Sequence, residues 1–380
     1  MKWSGRVRCP QLLPLFPRLV LSHGTIFLPG PTEVRPEVLA AMQRQMLPHR
    51  GEEVRAMVER VSRRLGPLFG TARPVTVLTC AATGAMEAAV RCGTRSRVLA
   101  LVNGAFGERF ARVAELCGRQ VTRLVAEPGL TVTPQIVAAA LAGGRYDAVT
   151  AVHVESSTGA STDVAGLGAV VRAHEDVLLL VDGVSSVGGA PVGMDAWGVD
   201  LLFAGSQKAL ALPPGLAFVA CSERLIARAL TLPDRGYYLD LTRHDHLARA
   251  GQLAGMPALP LLFALDRQLE LIEAEGVDRR LARHAAMALR VRRWVAHMAT
   301  RGVPITVLAT REERASTVTC VTYPGDARDV VEGARDEGYL IGAGYGDLAP
   351  HTFRIGHMGD HTLEGLEGLL GALRWVLARE

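Results

Sequence analysis

Of the 42 basic residues in this chain only two are lysines, Lys2 and Lys208, so Lys208 stands alone beyond the N-terminal segment. Arginine can replace lysine wherever a surface charge suffices, but a guanidinium keeps its proton and cannot attack a carbonyl. Lysine can, once burial and neighbouring charge lower its pKa, and it then forms an imine with an aldehyde. A lone lysine inside GSQKALALPPG (205–215) therefore invites a chemical reading, although an arginine-rich coding bias could also leave one survivor. Asp182 ends the apolar run VLLLVD and is followed by the small, polar turn GVSSVGG. A carboxylate at a strand's carboxyl end faces the ligand crevice, where it could keep a ring nitrogen protonated; it could equally cap the next helix. Together, on two neighbouring strands, Asp182 and Lys208 point to carbonyl–amine chemistry on an electron-accepting ring.

The elements that must position this pair show an α/β rhythm. Short β-rich runs at 75–79, 98–102, 121–125, 147–154 and 177–182 alternate with helix-length amphipathic stretches. Continuous apolar runs such as 177–181 suit strands covered on both faces, hence a mostly parallel sheet between helices, with the site beyond the strands' carboxyl ends. The runs at 200–205 and 216–220 are separated by a Pro-Pro-Gly turn too short for a crossover helix, which predicts an antiparallel pair. After Leu259 long helical patterns take over, followed by candidate strands at 303–308 and 316–323 and a final helix over 363–378. The expected organisation is a loosely ordered tail (1–24), a large cofactor-binding domain (25–258) and a smaller C-terminal α+β domain (259–380).

The bulk numbers narrow the class. A chain of 380 residues that is 49% hydrophobic and 21% charged, with net charge +4, has the composition of an ordinary globular protein. Its basic residues are dispersed among acids, which argues against a nucleic-acid face. Six scattered cysteines without a CxxC pair suggest neither zinc nor a disulfide framework, and make a reducing cytoplasm the expected location. Lys2, Arg6 and Arg8 precede an apolar stretch at 12–21, but Pro14, Pro17 and Arg18 break it up, so it reads as a tail rather than a signal peptide. No apolar run is long enough to predict a membrane span. No GxGxxG follows the first strand, which removes a Rossmann dehydrogenase.

Across about residues 26 to 380 the chain resembles the class V aminotransferases, in particular the alanine–glyoxylate and serine–pyruvate group. The resemblance rests on LPGPTEV (28–34), HRGEEV (49–54), ATGAMEAAV (82–90), NGAFGERF (103–110), HVESSTGA (153–160), VDGVSSVGG (181–189), GSQKALALPPG (205–215) and RIG (354–356), in that order and spacing. It implies a fold type I, pyridoxal-phosphate (PLP) dependent α/β enzyme in which Lys208 carries the cofactor and Asp182 meets its pyridine nitrogen. Ala82 and Thr83, at a helix start, and Gln207 would hold the phosphate. Phe106 would lie against the ring, and Ser156 would reach the phenolic oxygen. Arg354 would grip the substrate carboxylate with its planar fork. The resemblance further implies small amino-acid and 2-oxo-acid substrates, a ping-pong reaction and a homodimer with the site at the interface.

Two departures concern the phosphate. Ala81 and Ala82 stand where the family commonly has Ser-Gly, removing a hydroxyl donor. In the segment 251–259, Gln252, Gly255 and Met256 occupy the region where a Tyr and a Thr of the neighbouring subunit usually complete the cup. Two other readings stay open: a cysteine desulfurase using Cys320, against which stand its alternating strand pattern and Gln207 in place of a His, and a PLP-fold binding protein without catalysis.

Overall fold

The computed structural model describes residues 24–378; the proposed tail lies almost wholly outside the described residues. In chain order the strands are β1 (Thr25–Phe27), β2 (Val75–Leu78), β3 (Arg97–Val102), β4 (Gln120–Val125), β5 (Ala148–Val152), β6 (Val154–Glu155), β7 (Ala160–Ser161), β8 (Leu178–Asp182), β9 (Leu201–Gly205), β10 (Ala217–Cys221), β11 (Thr306–Val307), β12 (Val318–Thr322), β13 (Tyr339–Ala343) and β14 (Thr352–Gly356).

The large sheet has the order β2-β10-β9-β8-β5-β3-β4. Strands β4, β3, β5, β8 and β9 run parallel, while β10 is antiparallel to both β9 and β2. The Pro-Pro-Gly turn thus joins an antiparallel pair, as its length requires. Two successive reversals return β2 to the direction of β9, so the carboxyl ends of β2, β3, β5, β8 and β9 all open on one edge. Between β3 and β5 the strand order changes direction, which creates the crevice where ligands of such sheets bind. Every strand of the pair β5 and β8 is buried along its length, as its unbroken apolar run demands.

Helices cover both faces. One face packs the helices Glu52–Phe69 and Leu259–Glu275 through Val58, Val61, Leu262 and Phe263. The other packs Ala82–Gly93 through Ala85, Ala88 and Ala89, small residues that let the helix lie close to the strands. The smaller sheet, β1-β13-β14-β12-β11, is covered by the helices Val277–Thr300 and Leu363–Ala378 around a separate core including Trp294, Phe353 and Leu369. The change from one core to the other falls at Gly276, between two long helices, and β1 carries the start of the described chain into the smaller sheet by pairing with β13. Among the described residues no helix is long and apolar enough to cross a membrane.

Candidate active site

Lys208 follows β9 in a loop whose backbone is held at several points. Its carbonyl accepts from the Ala211 amide at 2.9 Å and the Thr32 hydroxyl at 3.0 Å, and the Thr32 amide donates to Gln207 O at 3.1 Å. Ala211 adopts φ +51°, a conformation that L residues rarely take, within this tight turn. The next carbonyl, Ala209 O, accepts from Arg280 at 2.6 Å. Arg280 is itself 1% exposed; it also donates to Gly188 O at 3.1 Å and pairs with Glu275 and Asp360, each at 2.8 Å. One buried fork therefore ties the Lys208 loop to the turn that follows Asp182.

The Lys208 side chain is buried and its amine donates to Pro29 O. A Cβ on Gly30 would come within 2.6 Å of Lys208 Cδ, so the LPGPTEV segment can cross this lysine only with glycine there. Burial lowers the amine to about 8, helped by Arg354 and opposed by Asp182 and Glu155. That makes a neutral, nucleophilic amine accessible near physiological pH.

Asp182 ends β8 opposite Val152 and Phe203, buried at the carboxyl edge. Among the described residues its carboxylate accepts a hydrogen bond from the Val184 amide, at 2.8 Å. Burial raises it to about 7; Glu155 pushes the same way, while Val184, Lys208 and Arg109 oppose. Ser156, just beyond β6, is buried, and its hydroxyl has no partner among the described residues. Phe106 lies in the first turn of the helix Ala105–Leu116, and the Lys208 amine stands 5.7 Å from the centre of its ring. Arg354, on β14, donates to Ser156 O at 3.1 Å and to Ala343 O at 2.8 Å. Lys208, Asp182, Ser156, Phe106 and Arg354, distant in sequence, thus meet at one place.

At the other end, Ala82–Gly93 begins after β2 with Ala81 as its N-cap and no side chain capping the first turn. Its leading amides carry the helix's positive end without a side-chain oxygen from a cap, the Gly84 amide turning back to Ala81 O at 2.8 Å. Thr83 is exposed and its hydroxyl has no partner among the described residues. A Cβ on Gly205 would meet Gln207 Oε1 at 3.0 Å and Ala82 Cβ at 3.3 Å, which places the Gln207 amide beside the helix start. Gln252 and Gly255 instead line a separate cavity of about 150 Å³ with His49, Arg50 and Arg243, and Met256 is 68% exposed. A groove of about 910 Å³ lies at the opposite, amino ends of the strands beside Arg97, Asp147 and Val177, and includes no member of the cluster.

Cys320 is fully buried on β12 opposite Arg354, its thiol pushed up to about 11 by burial, so it offers no mobile thiolate. Four further residues join the site without having been singled out in the sequence. Glu155 receives the amides of Phe106 and Gly107, each at 3.1 Å, and both the amide and hydroxyl of Ser157, fixing the start of the Phe106 helix. Arg109 lies one turn beyond Phe106, Tyr345 approaches both from the smaller sheet, and Arg280 anchors the lysine loop. Glu155 and Arg109 sit inside HVESSTGA and NGAFGERF and could have been noticed there; Tyr345 and Arg280 carry no local signal. Among the described residues no cluster of acidic, His or Cys side chains is arranged to hold a metal.

Comparison with known proteins agrees with this geometry. The family model for class-V aminotransferases matches residues 26–351. An uncharacterized aminotransferase of Methanocaldococcus jannaschii is 35% identical over 88% of this chain and 87% of its own length. The serine–glyoxylate aminotransferase of Methylorubrum extorquens is 31% identical over 92% and 89%. The crystal structure of an alanine–glyoxylate aminotransferase from Nostoc sp. superimposes with a TM-score of 0.88 at 29% identity, covering 97% of each chain. The chain belongs to the class-V aminotransferases and is a PLP-dependent aminotransferase of fold type I.

Proposed function

We propose that the enzyme moves an amino group from a small amino acid of the alanine or serine type to a small 2-oxo acid such as glyoxylate or pyruvate, in two half-reactions of a ping-pong cycle. The observation that carries this reading is the buried Lys208 amine facing Asp182, Phe106 and Arg354 around a Ser156 hydroxyl without a partner among the described residues. The names of the relatives support the substrate class, since they act as alanine–glyoxylate and serine–glyoxylate aminotransferases.

These residues fit PLP. Asp182 offers a buried carboxylate to a protonated pyridine nitrogen, Ser156 an idle hydroxyl to the phenolic oxygen, and Phe106 a flat apolar surface to the ring. Gln207, Ala82 and Thr83 would hold the phosphate at the helix start, chiefly through backbone amides. When bound, the cofactor supplies an aldehyde for the amine and a ring that accepts the electron pair left by the departing α-proton.

Lys208 Nζ, freed by the incoming substrate amine, takes the proton from the substrate α-carbon and gives it up again. A neutral amine is needed for that, and burial provides it. Arg354 orients the α-carboxylate; its Nε and one Nη are fixed on carbonyls, which leaves three of its five N–H donors for a ligand. The Pro29–Gly30 crossing covers the amine and limits water around it. The second half-reaction runs the same steps in reverse with the 2-oxo acid.

We further propose a homodimer, supported by the family, and a cytoplasmic location, supported by five unpaired cysteines among the described residues. The test is a screen of single half-reactions: alanine or serine should convert the bound cofactor's absorbance to that of the amine form, and glyoxylate or pyruvate should restore it. Failure of every small amino acid to change the spectrum would refute the substrate assignment, and a fully active monomer in sedimentation would refute the dimer.

A further inference from the structure

Four side chains stand in a row across the crevice, each against the next. The Arg109 guanidinium lies over Phe106, its Cζ 4.7 Å from the ring centre. The Phe106 and Tyr345 rings are tilted at 44° with their centres 5.9 Å apart, and Arg354 Cζ stands 5.8 Å from the centre of the Tyr345 ring. Rings whose centres are closer than about 7 Å touch, as does a cation within about 6 Å of a ring centre. Tyr345 therefore fills the span between Phe106 and Arg354.

That span is where the reacting carbon must lie. In the proposed function the substrate carboxylate takes the free donors of Arg354, and its amine meets the cofactor beside Lys208, whose own amine is 5.7 Å from the Phe106 ring centre. The α-carbon joins those two groups, so the side chain it carries starts alongside the Tyr345 ring. A methyl or hydroxymethyl group is short enough to stop there. A longer chain runs into a ring already in contact on both sides, and a packed site does not expand without cost.

The ring is braced at its far end. Tyr345 follows β13 and opens the short turn at 346–351, between Gly344 and Gly346, so neither neighbour in sequence offers a side chain to hold it. Gly346 takes φ +56°, which bends the chain away immediately after the ring. The Tyr345 hydroxyl accepts from Arg109 Nη2 at 3.1 Å, and Arg109 lies over Phe106, its neighbour one turn earlier on the helix Ala105–Leu116. With 39% of Tyr345 exposed, this bond rather than burial sets where the ring stands.

From this arrangement we infer that Tyr345 is a specificity-determining wall of the substrate site, held in place by Arg109, which admits amino-acid and 2-oxo-acid side chains no larger than a methyl or hydroxymethyl group. The inference rests on the amino-transfer reading and assigns the size limit of its substrates to one residue. Arg109 is a positioning residue: it acts through the Tyr345 hydroxyl and does not touch the substrate.

The test uses unreactive acids on the PLP-loaded enzyme: calorimetric binding of propionate against valerate, which is longer by two methylenes. Wild type should bind propionate at least as tightly as valerate, although two more methylenes in an open apolar site would favour valerate by about ten-fold. Tyr345→Ala should shift the ratio of the two affinities about ten-fold toward valerate. Tyr345→Phe, which keeps the ring and loses the brace, and Arg109→Met, which removes the donor, should each shift it about three-fold, and the double variant no further than either alone. Valerate favoured ten-fold by wild type, or a ratio unchanged in Tyr345→Ala, would overturn the wall; ratios unchanged in both Tyr345→Phe and Arg109→Met would overturn the brace. Tyr345→Phe keeps the test decisive if Tyr345→Ala fails to fold or Arg109→Met fails to hold cofactor. Spectral conversion by alanine or serine is scored separately, so the amino-transfer reading can fail while the wall stands, and the reverse.

Discussion

The two ends of the cofactor site are built on different principles. Around Lys208, side chains from many separate segments converge: Asp182 after β8, Ser156 after β6, Phe106 after β3, Arg354 on β14, and Arg280 holding the loop from a long helix. At the start of the helix Ala82–Gly93 almost nothing is a side chain. Ala81 caps without a side-chain hydrogen bond, Thr83 is exposed, and the helix's own amides and dipole carry the positive potential. The contrast explains how the chain tolerates Ala81 and Ala82 at the phosphate end. Backbone donors survive any substitution that preserves the helix, whereas the imine end depends on side chains that nothing duplicates.

The largest effect should follow Lys208→Ala, which removes the amine that both holds the cofactor and moves the proton. Amino transfer should fall by about 10³-fold or more, read in single turnovers with alanine. A loss of only a few fold would erase the distinction between the two ends. Arg280 tests the support beneath that end. Arg280→Met strips the buried carbonyls Gly188 O and Ala209 O of their donor, while Asp360 keeps Arg35 and Glu275 keeps Arg283, and denaturant unfolding should show a loss of about 1–3 kcal/mol. Unchanged unfolding would mean that the four bonds of Arg280 do not hold the loop.

A pH series separates the ends in another way. Because burial lowers the Lys208 amine to about 8 from its ordinary 10.5, more of it is neutral at any pH between those values. The rate of covalent PLP capture by cofactor-free protein should rise through a midpoint near pH 8. A midpoint near 10.5 would show an ordinary, solvated lysine. The smallest effects belong to the phosphate end: Thr83→Ala and Gln207→Ala should each weaken PLP binding by about ten-fold or less, since each removes one hydrogen bond to a charged group. A loss approaching that of Lys208→Ala would mean that side chains rather than backbone hold the phosphate.

Much of this arrangement could be read from the residues. The unbroken apolar runs that become β5 and β8 announce strands covered on both sides, and the scarcity of lysine draws attention to Lys208 before any fold is known. Periodicity, however, reports that a helix has an apolar face without saying which core receives it. The helix Leu259–Glu275 follows a change of rhythm yet packs on the large sheet, and β1 precedes the large sheet in sequence yet pairs with β13. Nothing in the sequence separates Arg280 from the other arginines of its amphipathic helix, and only the fold shows it buried against Ala209 O. Tyr345 lies more than two hundred residues from Arg109 and meets it only because β13 and β14 carry it to the crevice.

The central claim is that Lys208 carries the cofactor, and the composition makes it unusually direct to test. Borohydride reduction of the PLP-loaded protein, followed by peptide mapping, should place a single pyridoxyl group on the peptide containing Lys208, with Lys2 as the sole competing side-chain amine. Modification at Lys2, or full retention of cofactor with no covalent adduct after reduction, would contradict the account.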